Sequence, residues 1–160
     1  MKRLAILTPL VALATTLIPS SVVFAQPAGD EVLLQMQQAS RKQDIRALTT
    51  LLPAIQGHPL EVWGHYWALK ARLSSATAQE VEDFLQRWRG TYQEDRLRND
   101  WLLLLGQRRN WAEFERLHTE FRMQDDKQLR CYDLAIASIE GRLPQHASTE
   151  LQQLWRGQPA

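Results

Sequence analysis

The chain has 160 residues, of which 44% are hydrophobic, with 19 Lys and Arg against 18 Asp and Glu. Such a balance excludes a generic nucleic-acid binder, which needs a strong basic excess. It holds a single cysteine, Cys131. A disulfide within the chain is therefore excluded, and Cys131 is left either as a thiol seeking an external partner or as a small hydrophobe on a helix.

Residues 1–25 have the pattern of a secretory signal peptide. Lys2 and Arg3 form a positive start, Leu4 to Ile18 is apolar or neutral with Pro9 the only break, and Val23-Phe24-Ala25 suits cleavage after Ala25. The apolar run is shorter than the ~20 residues a membrane span needs. The residue after the cut is Gln26, not Cys, so no lipid attachment is expected. Loss of Lys2 and Arg3 leaves 17 basic against 18 acidic side chains and a net charge of −1 on residues 26–160. An exported product with no stable membrane anchor is the expectation.

From Asp30 on, apolar residues recur with helical period and no stretch alternates as a strand does. Asp30 is the expected N-cap of a first helix carrying Val32, Leu33 and Met36. Asp44 opens a second with Ile45, Leu48 and Leu52, disturbed at its end by Pro53. The third is expected over Pro59 to Leu73, with Pro59 in the first helical position. It is apolar on two sides, Leu60, Trp63 and Trp67 on one and Val62, Tyr66, Leu69 and Leu73 on the other, so it calls for neighbours on both.

Thr77 and Glu80 form a capping box that starts the fourth helix, striped by Val81, Phe84, Leu85 and Trp88 and closed by Gly90. The fifth runs from Tyr92 to Gly106 with Leu97, Trp101, Leu104 and Leu105. Asn110, with Glu113 three residues on, caps the sixth, whose Trp111, Phe114, Leu117 and Phe121 face inward. Asp125 or Asp126 opens the seventh, striped by Leu129, Tyr132, Ile136 and Ile139 and ended by Gly141. Pro144 starts a short eighth with Leu151, Leu154 and Trp155.

The connections are short, which predicts an all-α array of antiparallel helical hairpins forming part of an α-superhelix, or solenoid. Ala71, Gly106 and Gly141 lie 35 residues apart. Each falls near the end of the first helix of a pair, where a small residue lets the two helices of a hairpin approach. Periods of this length mark helical repeats, in which each pair buries its apolar face only by stacking on the next.

No constellation marks a catalytic, cofactor or metal site. His58 and His65 share a face but stand ~10 Å apart along a helix axis, too far for two ligands that must each lie ~2 Å from one zinc. His118 and His146 have no ligand spacing around them. No nucleophile elbow and no Gly-rich phosphate loop occurs. Glu80 and Glu113 are explained by capping. Arg87-Trp88-Arg89, Arg96 and Arg98 before Trp101, and Arg108 and Arg109 before Trp111 juxtapose guanidinium and aromatic groups that suit a sugar chain or stacked bases. The same tryptophans fall on helical stripes, which makes core positions the stronger expectation.

Leu97-Arg98-Asn99-Asp100-Trp101-Leu102-Leu103-Leu104-Leu105-Gly106-Gln107-Arg108-Arg109-Asn110-Trp111 resembles the N-terminal helical domain of soluble lytic murein transglycosylases. So do Cys131-Tyr132-Asp133-Leu134-Ala135 leading to Gly141, and His58-Pro59-Leu60 followed by Tyr66-Trp67. The resemblance covers Asp30 to the end. It implies a periplasmic setting and a superhelical, U-shaped scaffold. It also implies a separate C-terminal lysozyme-like domain that cleaves peptidoglycan glycan strands to a 1,6-anhydro product through one glutamate. The chain carries no segment like that domain, so no catalytic residue is carried over, and contact with glycan strands would come through the missing domain. The family often places a second cysteine not far beyond this point, able to pair with the position matching Cys131. The expectation is a partial superhelical domain over residues 26–160, truncated before catalysis, whose eighth helix exposes an apolar face and which is marginally stable or self-associates. The competing expectation is a periplasmic tetratricopeptide-like adaptor with a protein partner, suggested by Trp101-x-x-Leu104 with Gly106.

Overall fold

The computed structural model describes residues 27–156, so the predicted signal segment lies outside the described residues. Helix α1 (Pro27–Arg41) has Asp30 inside its first turn rather than at its cap. The Asp30 carboxylate instead meets His58 Nε2 at 2.8 Å. Helix α2 (Ile45–Leu51) is capped as expected, Asp44 accepting from the Ala47 N–H at 3.0 Å. It tightens at Pro53 into a 3-10 turn, Leu52–Ile55.

Helix α3 (Glu61–Ala71) is shorter at both ends than the sequence predicts. Pro59 lies in the preceding turn, and Leu73 starts a separate 3-10 turn, Leu73–Ser75. Helix α4 (Ala78–Arg87) starts at the predicted capping box, with Thr77 and Glu80 satisfying each other's backbone donors. Helix α5 (Tyr92–Gln107) is capped by Thr91, which accepts from the Glu94 N–H. Helix α6 (Trp111–His118) follows Asn110, but the Asn110 side chain makes no cap bond, and Glu113 turns to the Arg116 guanidinium. The predicted capping role of Glu113 is thereby overturned: the Asn110 N–H it would have capped already donates to the Leu105 carbonyl at 2.9 Å. Helix α7 (Lys127–Ile139) is capped by Asp126, and α8 (Ala147–Arg156) is the last described element.

The described residues are all-helical, with eight α-helices. Helix α5 is the hub, packing against α3, α4, α6 and α7. Ten of its sixteen residues are buried, as a helix with neighbours on every side demands. The larger core joins Val81, Leu97, Leu102 and Phe114, all fully buried, to one side of α3 through Val62, Tyr66 and Leu69. A smaller core of Met36, Leu48 and Ile55 lies under α1, α2 and α3. Trp67 packs against both. Helix α1 touches α2 and α3, while α8 touches α7.

The 35-residue spacing has a different basis from the one predicted. Gly106 meets the Tyr132 ring of α7, not the adjoining α6: a Cβ there would lie 2.3 Å from Tyr132 Cδ2. Gly141 is needed for its positive φ of 70° just beyond α7, with nothing crowding it. Phe121 is buried but lies beyond the end of α6. Ile139, predicted on the inward stripe of α7, is 68% exposed, because that end of the helix has no neighbour over it among the described residues.

Candidate functional site: an aromatic groove between α1 and α3

Two apolar sides on α3 call for two sets of neighbours, and only one set is complete. Val62, Tyr66, Leu69 and Leu73 are buried in the larger core. Leu60, Trp63 and Trp67 instead line a groove of about 460 Å³ whose opposite wall is α1. Its volume falls in the range of ligand sites, ~300–1,000 Å³. From α1 come Leu33, Leu34, Gln37, Ser40 and Arg41, spaced one, four, seven and eight residues beyond the first and hence on one helical face. Leu34 is 60% exposed and Leu60 47%, so the apolar lining is open to solvent.

The tryptophans are held by ring contacts. Trp63 and Trp67 have centroids 5.6 Å apart, and Trp63 lies 6.0 Å from both Tyr66, edge-on, and the exposed Tyr92 of α5. Each such pair adds about 0.5–1.5 kcal/mol beyond its buried area, so the aromatic wall is fixed in shape. Behind it, Tyr66 Oη donates to Asp100 Oδ2 at 2.9 Å, and Lys70 Nζ donates to Tyr66 Oη and Asp100 Oδ1, both at 3.1 Å. Burial, reinforced by the Asp100 charge, pushes the Tyr66 hydroxyl up. Burial works against the Lys70 ammonium, but its bonds to Tyr66 and Asp100 outweigh that and raise its pKa. Both groups keep their protons near neutrality, so this triad fastens α3 to α5. The groove's own chemistry is stacking, apolar burial and hydrogen bonding from Gln37, Ser40 and Arg41.

The guanidinium–tryptophan clusters do not converge on one surface, although Arg87 and Trp88 line a smaller cavity of about 250 Å³ with His65 and Arg72. Trp101 is buried in the core. Arg98 is 4% exposed, with its charge met by Glu94 at 2.5 Å and Glu120 at 3.1 Å. Arg87 covers the Trp88 ring at 4.8 Å and also reaches Glu61. Arg108 donates to the Ser74 carbonyl, and Trp111 packs on Tyr132. The histidines are dispersed as well. His58 pairs with Asp30, and its Nδ1 accepts from the Leu60 N–H. His65 lies 5.7 Å from the Trp88 ring, its pKa lowered by burial and by Arg87. His118 stacks on Phe114, and His146 sits 3.9 Å from Glu150. Among the described residues no three His, Cys, Asp or Glu side chains are grouped to hold a metal, and no helix is long and apolar enough to cross a membrane.

A buried polar network on α5 escapes the sequence reading. Glu94, Asp95, Arg98 and Asn99 are each at most 4% exposed. Asp95 accepts from the Arg122 and Met123 N–H groups, Glu94 pairs with the Arg122 side chain at 2.7 Å, and Asn99 donates to Asp126. Together they fasten the segment between α6 and α7 to α5. At the far end, Cys131 is half-buried and lines a cleft of about 610 Å³ with Leu151, Leu154 and Trp155. Trp155 is 81% exposed, so the apolar side of α8 is uncovered among the described residues. Comparison of the chain with family models, curated proteins and solved structures finds no match.

Proposed function

We propose that the chain is a helical-hairpin scaffold, the superhelical portion of a periplasmic lytic transglycosylase, which serves peptidoglycan turnover by positioning and binding rather than by cleavage. One observation carries the architectural half of this reading. Alternate helices touch in a row, α1 with α3, α3 with α5 and α5 with α7, while α2, α4 and α6 pack onto that row. The Asp30–His58 bond joins the N-terminal turn of α1 to the turn just before α3, and Arg41 and Trp67 both line the groove between the two helices. Side-by-side first helices of successive pairs are what stacked antiparallel hairpins would give, and these contacts support that reading. The murein setting rests on the motifs at Leu97–Trp111 and Cys131–Gly141.

Co-sedimentation with purified sacculi tests the setting. The scaffold reading gives the superhelix a strand contact of its own, in addition to that of a cleaving domain, and expects the full chain in the pellet. A chain that stays in the supernatant yet holds a specific protein partner would transfer the reading to a periplasmic tetratricopeptide-like adaptor.

A further inference from the structure

We infer that the α1–α3 groove is a docking site for a short acidic, amphipathic peptide segment of a protein partner. The inference is independent of the murein setting and holds whether or not a cleaving domain accompanies the scaffold. Leu33 to Arg41 spans ~12 Å along α1, room for two turns of a bound helix or about four extended residues. The lining is graded. Leu34, Leu60 and Trp63 make one end apolar, whereas Arg41 makes the other end cationic; Lys42, next in the chain and exposed, adds charge near that end without lining the groove. Among the described residues neither Arg41 nor Lys42 has an ion-pair partner. Of the acids flanking the groove in sequence, Asp44 caps α2, Asp30 is held by His58 and Glu61 by Arg87, while Glu31 lies on α1 before the apolar end, away from Arg41. No carboxylate lines the groove.

These details choose between occupants. A sugar chain uses carboxylates and amides to hold its hydroxyls, and here Gln37 is the sole amide and three of the lining residues are leucines. Exposed leucines beside fixed aromatic rings suit apolar side chains, which an amphipathic segment presents at i, i+3 and i+4. The free cations then select acidic residues at one end of that segment and speed its approach.

Panning a random displayed-peptide library against the full chain tests the inference. The enriched peptides should combine aromatic or aliphatic residues with a net acidic charge. Trp63→Ala should weaken them about tenfold or more, as loss of an aromatic anchor does. Arg41→Glu with Lys42→Glu, both at exposed positions that leave the core intact, should weaken acidic peptides about tenfold and improve charge-reversed ones. The inference is overturned by no enrichment, by net-basic binders, or by binders indifferent to the charge reversal. It is overturned equally if N-acetylglucosamine oligomers quench Trp63 and Trp67 fluorescence, bind in a way Trp63→Ala abolishes, and ignore the charge reversal.

Discussion

Gly106 on α5 lies against the Tyr132 ring on α7, so closely that an added Cβ would stand 2.3 Å from Cδ2 and 2.4 Å from Cε2. The two helices meet through this missing side chain. Alanine at 106 gains about 1 kcal/mol of helix propensity but must displace a packed ring, and overpacking costs about 1–3 kcal/mol. We predict that Gly106→Ala lowers stability by up to about 2 kcal/mol net, read as a lower urea midpoint at an unchanged m-value. Adding Tyr132→Ala should recover part of the loss in a double-mutant cycle, because the two residues are in contact. Simple additivity would contradict the close approach.

Asp95 should be the most sensitive polar position. Its carboxylate accepts from the Arg122 and Met123 N–H groups and faces the buried Arg98. Breaking a buried charge arrangement by removing one member costs about 3–5 kcal/mol. Asp95→Ala is predicted to fall in that range. Amide exchange at Arg122 and Met123 should accelerate more than at Val81, which lies in the distant part of the core. Uniform acceleration would show that the network does not hold that segment locally.

The start of α4 should be sensitive to acid. The Arg72 guanidinium, together with the Thr77 backbone N–H, holds the Glu80 carboxyl down to about 2 from an ordinary 4.5. A carboxylate whose pKa is depressed in the folded state lends stability that is full above its unfolded value and fades as pH falls through the folded one. The contribution of Glu80 is thus present above about pH 4.5 and lost on descent to about pH 2. Glu80→Gln should flatten the stability profile in that window and leave its slope near pH 7 unchanged. Thr77→Ala removes the hydroxyl that accepts from the Glu80 N–H and is predicted to cost about 1 kcal/mol, measured by thermal unfolding at neutral pH.

Local chemistry explains which parts of the fold were legible. Asp44, Thr77 with Glu80, and Asp126 act as caps where the sequence places them, because a cap needs only residues two or three positions away. Asp30 and Asn110 have the right chemistry and other fates. Asp30 lies inside α1 and bonds His58, while the Asn110 N–H is taken by the Leu105 carbonyl and Glu113 bonds Arg116. The α5 network was not legible because its partners, Glu120 to Asp126, lie some 22–28 residues downstream. Spacing alone did carry a hint: Glu94, Asp95, Arg98 and Asn99 share one face with opposite charges four residues apart. The groove was half legible. The second apolar side of α3 was visible, whereas the wall from α1 was not, since Leu34 and Arg41 gain meaning only beside Trp63.

The release of soluble products from purified sacculi tests the central claim most directly. The account predicts that the full chain, incubated with sacculi, releases no 1,6-anhydro-muropeptides above a buffer control. Release that scales with chain concentration and survives repurification would contradict a scaffold that positions and binds without cleaving.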